Sequence, residues 1–128
     1  MRVKIEYLKA AEDERGFVFE PLDAGVLPHQ RNVHVVLTQP GCVRGNHYHT
    51  RGTEIIVVRG STIARFRDGQ ELHESIVGEN ETVRFVIPPE VSHAFKNTGN
   101  RASVMVAFNT IVHDEDNPDV VRDVLIEQ

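Results

Sequence analysis

The sequence predicts an all-β fold, one sandwich or barrel. Three observations carry that expectation. Short segments rich in valine, isoleucine, threonine and phenylalanine recur along the chain, as strands require. Turn-forming residues separate them at regular spacing, the pattern of sandwiches and barrels. No convincing amphipathic helix precedes the tail.

In order, the predicted strands are VKIEYL (3–8), GFVFEPL (16–22), NVHVVLTQ (32–39), EIIVVR (54–59), STIARFR (61–67), ELHESIV (71–77), TVRFVI (82–87), SVMVAF (103–108) and DVVRDVLI (119–126). The breaks between them are Pro40-Gly41, Gly60, Asp68-Gly69, Gly78, Pro88-Pro89, the run from Asn97 to Asn100, and Asn117-Pro118. Asp68-Gly69, between two alternating segments, is a hairpin signal because both residues tolerate positive φ. Residues 114–126 have room for a helical turn, but their valines favour a strand.

At 128 residues the chain suits one domain with one core, and the segment 1–31, a central 32–110 and a tail 111–128 are its natural parts. No apolar run reaches bilayer-spanning length, and MRVKIEYLKA has no signal-peptide pattern. A net charge of −5 argues against nucleic acid or an anionic membrane as the main partner, since both need basic patches. A phosphorylated small molecule stays compatible, because one or two arginines suffice for it. The single cysteine, Cys42, has no internal disulfide partner, so a reducing cytoplasm is the expected location.

Chemistry gathers in GCVRGNHYHTRGTE (41–54). Residues i and i+2 of a strand share a face, so His47 and His49 present adjacent imidazoles. Glu54, returning on the next strand, can reach the same point, and His93 in IPPEVSHAFKN is a fourth donor. Three imidazoles and a carboxylate suit Zn, Mn, Fe, Co, Ni or Cu, and residue type alone does not choose among them. His29, His73 and His113 read as surface or hydrogen-bonded histidines and receive no role.

These residues resemble the two cupin motifs. Gly41, His47, His49, Glu54 and Gly60 follow the first, with five residues rather than six before Gly60. Pro88, His93 and Asn97 follow the second, with Glu90 where the pattern has glycine. The resemblance implies a double-stranded β-helix, the cupin jelly-roll barrel, with His47, His49, Glu54 and His93 as metal ligands. A narrower likeness lies in DERGFVFEP (13–21), VRGNHYH (43–49) and the tail residues Asn109, Asn117, Pro118 and Asp119. These stretches resemble dTDP-4-dehydrorhamnose 3,5-epimerases and dTDP-hexose 3,4-ketoisomerases. They are most similar to the C-terminal cupin half of bifunctional capsular-polysaccharide enzymes acting on UDP-sugars.

That likeness implies a zinc-dependent epimerase or isomerase of a nucleotide-linked 4-keto sugar, in polysaccharide or deoxysugar biosynthesis. The Gly-rich dinucleotide fingerprint of the reductase half is absent here. The competing readings are a non-catalytic sugar-binding cupin and a metal-dependent cupin dioxygenase. Arg44, matching the arginine of the Arg-Gly-x-His core, is expected on a phosphate or sugar oxygen. Asn46, Arg65 and Phe95 are further candidates for substrate contact, with Arg84 a weaker one. His34, with Glu54 or Cys42 as alternatives, is the candidate base. A homodimer is expected, with the segment before residue 32 pairing with a neighbouring chain.

Overall fold

The computed structural model describes residues 1–128. Twelve strands form: β1 Lys4–Leu8, β2 Ala11–Asp13, β3 Gly16–Val18, β4 Asn32–Thr38, β5 Val43–His49, β6 Glu54–Arg59, β7 Thr62–Asp68, β8 Glu71–Val77, β9 Thr82–Ile87, β10 Ser92–Asn97, β11 Ser103–Asn109 and β12 Val120–Arg122. A single 3-10 turn, Leu27–His29, precedes β4. Two five-stranded antiparallel sheets, ordered β1-β9-β6-β11-β4 and β12-β5-β10-β7-β8, face each other as a jelly-roll barrel. No helix is long and apolar enough to cross a membrane.

The core lies between the inner faces and follows the period of two. On β7, Thr62, Ala64 and Phe66 are buried while Ile63, Arg65 and Arg67 alternate outward. Phe66, Phe85 and Phe95 form its aromatic centre, with ring centroids 5.3, 5.7 and 6.1 Å apart. Strand β6 departs from alternation, since all six of its residues are buried. Its inner residues Ile56 and Val58 join the main core. Its outer residues Ile55 and Val57 pack with Phe108 under Leu8, Phe19 and Leu22 of the N-terminal segment. The unbroken apolar run IIVV is thus what a strand covered on both faces needs.

Three expectations about elements need correction. Of residues 16–22 only Gly16–Val18 is strand, paired with β2 in a small ribbon, because Phe19 and Leu22 lie over the first sheet instead. Of residues 119–126 only Val120–Arg122 is strand. Beyond it, Asn46 turns the chain by taking the Leu125 and Ile126 N–H groups on its side-chain oxygen, at 2.8 and 3.1 Å. The β7–β8 hairpin pairs Asp68 with Glu71, so its two-residue loop is Gly69-Gln70 rather than Asp68-Gly69. Gly69 has φ 63, at the position where a type II′ turn wants glycine. In the segment before residue 32, β1 pairs with β9 of its own chain and leaves its other side as an open edge of that sheet.

Candidate metal centre

Three strands bring four residues together at one end of the barrel. His47 and His49 lie on β5, Glu54 opens β6 and His93 sits near the start of β10. Glu54 shares the inward face with Ile56 and Val58, and His93 shares it with Phe95. The register sets His93 directly opposite His47, with ring centroids 4.8 Å apart. One potential ligand atom from each of His47, His49, Glu54 and His93 can be chosen so that all lie within 4.8 Å of one another.

A bulge makes this pairing. Gly45 (φ 86) and Asn46 (φ 59) both adopt left-handed backbone, and the register shifts opposite His93 and Ala94. A Cβ on residue 45 would stand 2.7 Å from the His93 carbonyl oxygen, so only glycine fits. The turn after Pro88-Pro89 has the same need, and Glu90 meets it by adopting φ 70 in the place of a glycine. Its N–H bonds the His49 carbonyl at 2.7 Å, tying the turn to the histidine strand.

The electrostatics are those of a buried mixed cluster. His93 is 1% exposed, and burial lowers it to about 4, keeping the imidazole neutral near pH 7. Its Nδ1 lies 3.1 Å from the Val91 carbonyl, which accepts the ring proton and leaves the Nε2 lone pair facing the cluster. That Nε2 is 3.9 Å from Glu54 and has no hydrogen-bond partner. Burial also lowers His47. Burial pushes His49 down too, but Glu54 and Asp119 outweigh it, and its net shift is upward. For Glu54, burial pushes upward and is outweighed by His49 and the other two imidazoles, so the carboxylate stays ionised. His49 Nε2 abuts Glu54, while its Nδ1 faces Asp119 at 3.4 Å without hydrogen-bond alignment.

Above the cluster opens a cavity of about 290 Å³. His34 lines it together with His47, His49 and Glu54. The inner face of β4 holds His34, because its alternates Val36 and Thr38 are the more buried set and Val33, Val35 and Leu37 point out. His34 Nδ1 is 3.1 Å from Asn32 Oδ1, an acceptor only, so the ring donates there and keeps Nε2 free.

The other substrate-contact candidates go elsewhere. Arg44 donates to the Leu37 carbonyl at 2.9 Å and is not among the residues that line the cavity. Asn46 spends its side chain on the C-terminal segment, donating to Ile126 O at 2.9 Å besides the two bonds it accepts. Arg65 points outward and pairs with Glu74 at 2.6 Å, as the period of β7 requires. Arg84 pairs with Glu6 at 3.1 Å, also off the cavity. Phe95 is a core residue beneath the cluster, its ring centroid 6.1 Å from that of His93. Three ionisable cavity residues receive no site role from the sequence: Asp119, His113, which reads as a surface or hydrogen-bonded histidine, and Asp114. Only Asp119 carries a signal, in the Asn-Pro-Asp of the tail.

Fold and site together define a jelly-roll barrel with a buried three-histidine, one-glutamate cluster at its open end. The chain belongs to the polysaccharide biosynthesis C-terminal domain family, whose model matches residues 11–121. It is 25% identical to the spore coat polysaccharide biosynthesis protein SpsL of Bacillus subtilis, over 94% of this chain and 86% of that protein. Among solved structures, a dTDP sugar isomerase of Desulfovibrio desulfuricans shares the fold with a TM-score of 0.78 at 19% identity, covering 96% of this chain and 84% of that one. The capsular polysaccharide assembling protein CapF of Staphylococcus aureus matches with a TM-score of 0.66 and 26% identity. That match covers 92% of this chain but only 34% of CapF.

Proposed function

We propose that this protein is a metal-dependent isomerase or epimerase acting on the sugar ring of a nucleotide-linked 4-keto sugar. The carrying observation is the buried, partnerless His93 Nε2 gathered with His47, His49 and the ionised Glu54, the last three of which line a cavity. An uncompensated carboxylate in such a place is costly, and a divalent cation offsets it. The donor set fits zinc first, with manganese, iron, nickel and cobalt compatible, and His47, His49, Glu54 and His93 would hold it. When bound, a divalent ion supplies Lewis acidity toward a keto oxygen.

The remaining work falls to the chain. A proton on carbon 3 or 5, next to the C4 ketone, is acidic because the C–H electron pair can move onto the carbonyl oxygen. His34, with Nε2 free, would take that proton on one face, and a proton delivered by solvent to the other face of the resulting enolate would invert the carbon. The cavity's volume is at the small end for ligand sites, which run roughly 300–1,000 Å³, and suits one sugar ring. No lysine or arginine lines it, so the ring enters and the anionic phosphates stay outside. Kinship with polysaccharide biosynthesis proteins supports a sugar substrate. A similar protein of Haloferax volcanii, 25% identical, is described as a probable low-salt glycan biosynthesis epimerase. A homodimer built on the open edge of β4, where Val33, Val35 and Leu37 are exposed, belongs to the same proposal.

The test is incubation of the metal-loaded protein with UDP- and dTDP-4-keto sugars in deuterated water. Deuterium at C3 or C5 is expected. Tight sugar binding without exchange would replace the reading with a binding module, and oxygen uptake would replace it with a dioxygenase.

A further inference from the structure

The C-terminal segment reaches the site in a way the four-ligand cluster does not explain. Strand β12 pairs along β5, setting Val120 opposite His49 and Arg122 opposite His47. Asp119, just before it, enters the space beside His49 with only a tenth of its side chain exposed. Asp119 Oδ1 accepts the Thr50 hydroxyl at 2.7 Å and the Arg51 N–H at 2.8 Å. Its other oxygen accepts the Gly52 N–H at 2.9 Å and faces His49 Nδ1 at 3.4 Å. The fit is close enough that a Cβ on Gly52 would lie 2.3 Å from Asn109 Oδ1 and 2.9 Å from Asp119 Oδ2. One carboxylate therefore holds the whole turn between the second histidine and the glutamate, and addresses the far nitrogen of that histidine.

We propose that Asp119 is the positioning residue of the site, orienting the His49 ring and holding its proton on Nδ1 so that Nε2 is a bare lone pair toward the cluster. This rests on the metal reading above. A histidine that ligates through one nitrogen needs an acceptor for the proton on the other, and a carboxylate does this best. Asparagine at 119 would keep the size but replace one acceptor oxygen with an amide donor. Facing Nδ1, that amide favours the tautomer with the proton on Nε2, where it blocks ligation.

The test measures zinc affinity by competition with a chromophoric chelator, in wild type, Asp119→Asn and Gln128→Ala. Gln128 fastens the far end of the same segment, donating to Gly41 O at 3.2 Å and accepting from Val43 N–H at 3.1 Å, away from the cluster. Asp119→Asn is expected to weaken zinc about 10- to 100-fold, the usual cost of losing such a partner. Gln128→Ala is expected to bind like wild type. In cobalt-substituted protein, the visible spectrum should change for Asp119→Asn and not for Gln128→Ala. Equal affinities for all three proteins would overturn the proposal. So would equal losses in both variants, which would mark the segment as mere scaffolding. A wild-type protein that binds no divalent metal would instead fail the metal reading itself, and this inference with it.

Discussion

At the scale of single residues, the site depends on backbone as much as on ligands. Gly45 brings β5 against the His93 carbonyl at φ 86, a place where a Cβ has no room. Gly45→Ala should cost at least about 1–3 kcal/mol, the usual range for such strain. Urea denaturation checks it, and wild-type stability would mean the bulge can open. His49→Ala should strip most of the metal, by elemental analysis, while circular dichroism keeps its β signature, since the valine and isoleucine core is unchanged. His73, paired with Glu71 on the exposed side of β8, should be replaceable by alanine with full metal content retained.

His93 also predicts a pH dependence of the metal-free protein. Burial lowers its pKa to about 4 when folded, against roughly 6.5 unfolded. Between those values the unfolded chain binds the extra proton, so stability falls as pH drops through that window, by a few kcal/mol in all, on the order of 3. His47, also lowered by burial, adds to the loss, while His49, raised by Glu54 and Asp119 against its burial, works in the opposite sense and offsets part of it. Glu54, lowered, adds a loss only as pH falls below its ordinary carboxylate range. Urea midpoints with chelator at pH 7.5 and 5 should therefore drop, and His93→Gln should flatten that drop. Equal drops in wild type and His93→Gln would show that His93 protonates without cost.

At the scale of elements, β5 and β6 do different work. The bulged β5 places two ligands and receives the C-terminal segment along its outer edge. The straight, doubly covered β6 anchors the barrel and offers Glu54 at its first position. Beneath them, Phe66 meets Phe85 and Phe95 with no exposed surface. Phe66→Ala should cost about 3–5 kcal/mol through lost burial and the cavity left behind, read as a lowered urea midpoint. A loss below 1 kcal/mol would show that the sheets collapse into the space.

For the whole molecule, the open edge of β4 is the feature that bears on assembly. Val33, Val35 and Leu37 are 59%, 70% and 53% exposed on a strand with no partner on its outer side. Such an edge invites pairing unless covered. Light scattering at micromolar concentration should give the mass of two chains, and Val35→Lys should give that of one. A monomeric wild type would remove the homodimer from the proposed function.

The sequence by itself determined the all-β class, most strand positions and the identity of the four clustered residues. Period-two alternation, turn residues and the His-x-His spacing are local signals that survive without coordinates. The tertiary structure decided what each outlying residue does. Arg44, Asn46 and Arg65 are substrate-contact candidates in linear order, and the fold gives each of them a contact within the chain. The first bonds the Leu37 carbonyl, the tail consumes the second, and the period of β7 sends the third outward. Asp119 lies 70 positions from His49 in the chain and 3.4 Å from it in space. No local pattern encodes that approach, because it follows from which strand edge the tail finds open once the two sheets have closed on their core.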